Sequence, residues 1–361
     1  MAETRIFNTY TKRRMKKSDK KKASLFLSSL KTPRDGLSKK CPICKRVVSS
    51  FCKSHSLPRF VLKNISPSGK ILTGVSFRSD DFKGSTGVNN TLTFSSICRE
   101  CDGKYFQEYE NEKVFFDKLS DIAINEIAVK NHLRYAYKQE QQMIFLKAHF
   151  KKVDKYPPEF IAFLENRLFL TELALKDTNN LVIKLLNKKD AKNFYVIDEI
   201  DLDYKTQIAY QGFVTLRYGF DNLIVNDTYN YDPKYKIQHL GICIIPHSKG
   251  TKILLFCEDG ATRMKYFYKK YKTLALDEKL YVINYILLMC EEEWVLDAEF
   301  DKKKLNKDTL ILINQRDDVS SYLYSEEELK NYKIPERLLI DTFQLKTEGN
   351  IYNFLEQKNK E

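Results

Sequence analysis

The sequence predicts an α+β protein: a cysteine-paired α+β segment at 41–125, a helical region at 126–192 and a mixed α/β region at 193–361. Three observations carry that expectation. "CPIC" at 41–44 and "CREC" at 98–101 bracket a stretch rich in Ser, Gly and Asn. Apolar residues recur at helical spacing from Phe106 onward, and from residue 193 the texture turns to strand-like runs. With 361 residues, 13% of them aromatic and 30% charged, the chain can fill the cores of two or three units and is unlike a disordered polymer.

Residues 1–40 form a basic arm. They hold 13 Lys and Arg against Glu3, Asp19 and Asp35, a net charge of +10, which leaves +3 of the total +13 for everything else. "TKRRMKKSDKKK" offers a core little to bury, so Arg13, Arg14, Lys16 and Lys17 are candidate phosphate contacts, although basic tails are also often only solvating. No apolar run reaches the roughly 18 residues needed to cross a bilayer. With no signal-type stretch at the start, the chain is expected to be cytoplasmic, with no membrane partner.

Between the cysteine pairs, "KILTGVSF" and "NTLTFSSI" are the expected strands. After the second pair, Phe106, Tyr109, Phe116, Leu119, Ile122 and Ile127 predict that "CREC" opens one long helix. Helical patterns continue through "QQMIFLKAHF", "PPEFIAFLENRLFLTELAL" and "NNLVIKLLNKK", with Pro157 and Pro158 marking a break. Strands follow in "FYVIDEIDL", "QIAYQGFVTLRYGF" and "LGICIIPHSKGTKILLFC", whose "SKG" link predicts a hairpin, and "EKLYVINYILLMCEEEWVL" returns to helix. Twelve glycines leave little room for a dinucleotide fingerprint, and there is no P-loop or internal repeat.

Two C-x-x-C pairs supply four thiolates, the donor set of a closed tetrahedral zinc site, so Cys41, Cys44, Cys98 and Cys101 are the expected ligands. A redox pair is the competing reading. Cys243, Cys257 and Cys290 lie in apolar runs and are expected as small buried groups. "FCKSHSLPRFVL" at 51–62 holds His55, which on its residues alone is either reactive or part of the zinc fold, as capping group or ligand, with Cys52 a further candidate. The other histidines, His132, His149, His239 and His247, lack ligand spacing. "RMKYFYKKYKTL" at 263–274 either stacks bases or forms a core stripe with a basic outer face.

C-x-x-C, then Ser-His-x-x-Pro at 54–58, then "NNTLTF", then C-x-x-C opening a helix, resembles the zinc-stapled HNH nucleases over residues 41–120. The resemblance implies a treble-clef or ββα-metal domain with structural Zn²⁺ and a catalytic Mg²⁺ or Mn²⁺. It makes His55 the general base, Asn89 or Asn90 the group that orients it, and Asp102 a ligand of the catalytic ion. Ser54 stands where that family usually has a metal-binding Asp, which leaves Asp102, with Glu108 or Glu110, to compensate. Arg59 and Lys104 are candidate phosphate contacts. The implied activity is cleavage of DNA in preference to RNA, as in bacterial defence or mobile-element nucleases. The region from 126 onward would then serve as a sensor, an oligomerisation module or a target-selecting module, with a second copy of the chain or a regulatory protein as a further partner. The rival expectations are a noncatalytic zinc-stapled nucleic-acid binder and a protein-interaction adaptor.

Overall fold

The computed structural model describes residues 40–77, 85–150, 158–188, 191–220, 223–228, 230, 232–291, 293–314 and 351–357. The basic arm, with Arg13, Arg14, Lys16 and Lys17, lies outside the described residues. Among the described residues, one compact unit holds those of Lys39–Glu140, Leu170–Asp317 and Pro335–Glu361, and a second holds those of Gln141–Phe169. Within the second, the described residues are helical. None of the described helices is long and apolar enough to cross a membrane.

The fold is mixed α+β. Strands β1 (Ser54–His55), β2 (Lys70–Thr73), β3 (Thr86–Gly87) and β4 (Thr93–Phe94) come first, with helices α1 (Arg59–Ile65) and α2 (Arg99–Tyr105). Long helices α3 (Asp121–Phe150) and α4 (Pro158–Asn187) follow. Then come β5 (Phe194–Leu202), β6 (Ile208–Val214), β7 (Leu240–His247), β8 (Gly250–Glu258), α5 (Lys265–Tyr271), α6 (Leu276–Cys290), β9 (Val295–Asp297) and α7 (Lys307–Asn314).

A seven-stranded antiparallel sheet runs β3-β2-β9-β6-β7-β8-β5. The expected hairpin supplies its fifth and sixth strands: His247 pairs with Gly250 and the register continues to Gly241 opposite Phe256. Every residue of β7 is buried, because the pleat sends alternate side chains into two different cores. Ile242, Ile244, Ile253 and Leu255 join Leu280, Ile283 and Trp294 on one face. Cys243, Ile245, Leu254 and Phe256 join Val61, Tyr109, Phe115, Ile127 and the zinc-type cysteines on the other. The cysteine-paired segment therefore rests on the sheet and also contributes to it, since β2 pairs with β9 through Ile71↔Asp297 and Thr73↔Val295.

Two expectations are corrected. The run after Cys101 is not one helix: α2 ends at Tyr105, Phe106 leaves helical geometry at φ −106° and ψ 39°, and a 3₁₀ turn occupies Glu112–Phe116 before α3 begins. The Ser120 hydroxyl accepts from the Ala123 N–H and so caps the true start of α3. The second correction is "EEEWVL": α6 stops at Cys290, and Val295–Asp297 is a strand. In "RMKYFYKKYKTL" the core-stripe reading describes the structure, with Phe267 and Tyr271 fully buried and Lys269 and Lys270 exposed.

Arg134 of α3 ties these layers together. Its Nε donates to Glu293 Oε2 at 3.0 Å and its Nη1 to the Leu92 carbonyl at 2.8 Å, while Lys138 also pairs with Glu293. Leu92 sits at φ +53°, a left-handed conformation that costs a β-carbon-bearing residue roughly 1–2 kcal/mol. Holding its carbonyl fixes the turn that leads into β4. Burial works against ionisation of Glu293, but Arg134 and Lys138 outweigh it and hold the carboxyl down at about 2. A carboxylate depressed by folding stabilises above its unfolded value of 4.5 and loses that contribution as pH falls towards 2. We predict that Glu293→Gln lowers the urea midpoint at pH 7 and flattens its pH dependence between those two values, read from denaturation curves across that range.

Candidate functional site

The four cysteines meet. Their sulfurs lie within 4.8 Å of one another, and Cys44 Sγ is 3.9 Å from Cys98 Sγ. A zinc tetrathiolate with Zn–S near 2.3 Å needs sulfurs about 3.8 Å apart, so the donor set fits Zn²⁺ in chemistry and spacing. No other such convergence of three or more His, Cys, Asp or Glu ligands is found among the described residues. The first pair is shaped by a tight turn: the Lys45 N–H donates to the Cys41 carbonyl, the Cys41 N–H to the Arg46 carbonyl, and Lys45 takes φ +61°. The second pair opens α2, with Cys98 at its N-cap and the Asp102 N–H donating to the Cys98 carbonyl. The Arg46 guanidinium, donating to Cys44 Sγ, brings that thiol down to about 6, whereas burial raises Cys41 and Cys101.

His55 is outside this thiol group. It lies half-buried on β1, which pairs antiparallel with β4 through Ser54↔Phe94 and His55↔Thr93. The ladder extends by the Cys52 N–H to the Ile97 carbonyl and the Ser56 N–H to the Leu92 carbonyl. His55 Nε2 is 3.2 Å from the Val88 carbonyl. A carbonyl can only accept, so Nε2 carries the proton and Nδ1 keeps its lone pair. Burial pushes His55 below its usual value; the Val88 carbonyl and Asp102 oppose this, and Lys130 and Arg59 add to it. Cys52 is also no ligand: its Sγ donates to the Ile97 carbonyl, and burial beside Asp102 raises it to about 11.

The remaining expected residues divide. Asn89 and Asn90 are exposed on the 3₁₀ turn that Val88 begins, so the hydrogen bond to His55 comes from backbone next to them. Asp102, one turn into α2, accepts from the Ser54 hydroxyl and from Lys130 Nζ, both at 2.7 Å and both on Oδ1. Glu110 Oε1 is 3.9 Å from the same ammonium, whereas Glu108 accepts from the Ser120 hydroxyl and belongs to the α3 cap. Arg59 is exposed at the start of α1. Lys104 pairs with Glu100 at 3.2 Å on the outer side of α2, an exposed i,i+4 contact of little energetic weight.

Sequence reasoning missed Lys130. Only 1% exposed, its ammonium lies 4.2 Å from the Phe106 ring centroid and 5.6 Å from that of Tyr109. A readable signal existed: Ala123, Ile127, Lys130 and Arg134 form one i, i+4, i+7, i+11 stripe, so both cations sit in core-facing positions. Three of the remaining histidines pack into the fold, and the side chain of His149 lies outside the described residues. His132 is buried with its ring 4.3 Å from Phe213, His239 Nδ1 meets the Thr215 hydroxyl, and His247 packs against Phe116.

A hard divalent ion takes about six oxygen ligands. Around Asp102 one carboxylate oxygen already serves Ser54 and Lys130, and an ammonium stands between Asp102 and Glu110. This donor set does not suit Mg²⁺ or Mn²⁺. No protein-family model, curated protein or solved structure matches the chain.

Two outcomes follow. The purified chain should carry about one zinc, and Cys98→Ser should remove most of it and lower the melting temperature, as measured by metal analysis and calorimetry. Asp102→Ala leaves a buried ammonium without its close partner and should cost about 3 kcal/mol or more in denaturant unfolding.

Proposed function

We propose that the chain is an HNH-type endonuclease that hydrolyses phosphodiester bonds of DNA, with His55 as general base. The observation that carries this reading is the ring of His55, fixed by the Val88 carbonyl on Nε2 so that Nδ1 is an acceptor, on a strand whose neighbour Ser54 anchors Asp102. A histidine kept neutral by burial suits proton abstraction near neutral pH. In the step, a water oxygen forms the new bond to phosphorus while Nδ1 takes its proton. The bond from phosphorus to the leaving oxygen breaks, and that oxygen takes a proton from solvent. Arg59, exposed at the start of α1, binds the phosphate. Zn²⁺ held by Cys41, Cys44, Cys98 and Cys101 is structural. The resemblance also implies a Mg²⁺ or Mn²⁺ ion, but the residues around Asp102 do not fit it.

The basic arm raises affinity for DNA by neutralising phosphates. A second reading, a noncatalytic zinc-stapled DNA binder, is favoured by one specific feature: Ser54 in the position where the family has a metal-binding acid.

Supercoiled-plasmid nicking, assayed with and without added Mg²⁺ and Mn²⁺, separates the two. Cutting should fall by roughly 10²–10⁴-fold in His55→Ala while zinc content and melting temperature hold. Absence of cutting by the wild-type chain, with salt-sensitive DNA binding retained, supports the binder instead.

A further inference from the structure

The cation nearest Asp102 is part of the chain. Lys130 Nζ is 2.7 Å from Asp102 Oδ1 and 3.9 Å from Glu110 Oε1, the two carboxylates that a divalent ion at this corner would need. It is not a loose surface lysine that could swing aside. The side chain is 1% exposed, its ammonium faces the Phe106 and Tyr109 rings, and both rings are fully buried. Moving it out would strand Asp102 and give up the attraction of both aromatic faces.

We propose that Lys130 is the resident cation of the His55 site, occupying the place between Asp102 and Glu110 so that a phosphodiester is received there without Mg²⁺ or Mn²⁺. Lys130 offsets the charge of Asp102 at 2.7 Å and attracts Glu110 at 3.9 Å, with the buried Glu126 close by, so a phosphate approaching a neutral His55 meets a corner less acidic than its carboxylates alone would make it. With Lys130 removed, the same corner would be net acidic and would attract a metal cation instead. The ammonium is too deep to touch substrate, so Lys130 acts through Asp102 as a positioning residue. The substrate half of this proposal rests on the reading of His55 as the base of a phosphodiesterase; the cation half does not.

Mn²⁺ binding followed by electron paramagnetic resonance tests the cation half without any cleavage. The full-length, zinc-loaded wild-type chain should bind no Mn²⁺ that Asp102→Asn removes. Lys130→Met, checked for zinc content and for a cooperative melt, should gain one Mn²⁺ that the added Asp102→Asn removes, and Lys130→Arg should restore the wild-type behaviour. Wild-type Mn²⁺ binding lost in Asp102→Asn overturns the proposal, and so does a folded Lys130→Met chain that gains none. If the chain nicks plasmid, the rate should be unchanged when divalent ions are omitted; a strict requirement for Mg²⁺ or Mn²⁺ also overturns it. A chain that never nicks defeats the nuclease reading but leaves the Mn²⁺ result to be read by itself.

Discussion

The convergence of four cysteine sulfurs is the constraint from which the site is built. It brings residues 41–44 against 98–101, with 53 residues between the pairs, and within that loop it sets where everything else must lie. Once Cys98 stands at the N-cap position of α2, Asp102 falls one turn along the helix. Once the chain between the pairs must return, β1 and β4 pair and His55 stands opposite Thr93. A segment this polar and glycine-bearing would close so long a loop at a large entropic cost without such a staple. It also leans on the sheet, because β2 adds to β9 and α1 packs over β6, β7 and β9.

Asp102 is the second junction. The Ser54 hydroxyl from β1 and the Lys130 ammonium from α3 meet on one of its oxygens, so three elements distant in sequence are held by a single atom. Tyr109 reinforces the arrangement from below, its hydroxyl donating to the Ser56 carbonyl at 2.5 Å and its N–H to Glu126 at 2.9 Å. The result is a half-buried histidine whose tautomer is set by backbone, beside an Asp102 already paired with a buried ammonium. That combination suits a base more than a metal ligand, and Ser54 takes part through its hydroxyl, which orients Asp102.

Much of this was legible in the sequence, for physical reasons. The C-x-x-C pairs announce themselves by spacing, and the β7–β8 hairpin by two apolar runs around a short polar link. The helix expected from Cys101 onward was misread because Phe106, Tyr109 and Phe115 all enter one core, and burial alone does not distinguish a helix from a turn followed by a 3₁₀ segment. Ser120 and Asp121, a cap followed by an acid, were the better signal for where α3 starts. Pairing of β2 with β9 joins residues near 72 to residues near 296 and leaves no local trace. Lysine is almost always exposed, so Lys130 is hard to place from its residue type alone, although its position on the Ala123–Ile127–Arg134 stripe points inward.

The central claim is that the four thiolates alone hold zinc, which leaves His55 free for chemistry. X-ray absorption at the zinc K edge of the purified chain addresses it most directly. A first shell of four sulfurs near 2.3 Å, without the outer-shell signature of imidazole, is the result predicted. A shell of three sulfurs and one imidazole nitrogen would contradict it, for then a histidine, with His55 the nearest candidate in sequence to the cysteine pairs, would be a ligand and not a base.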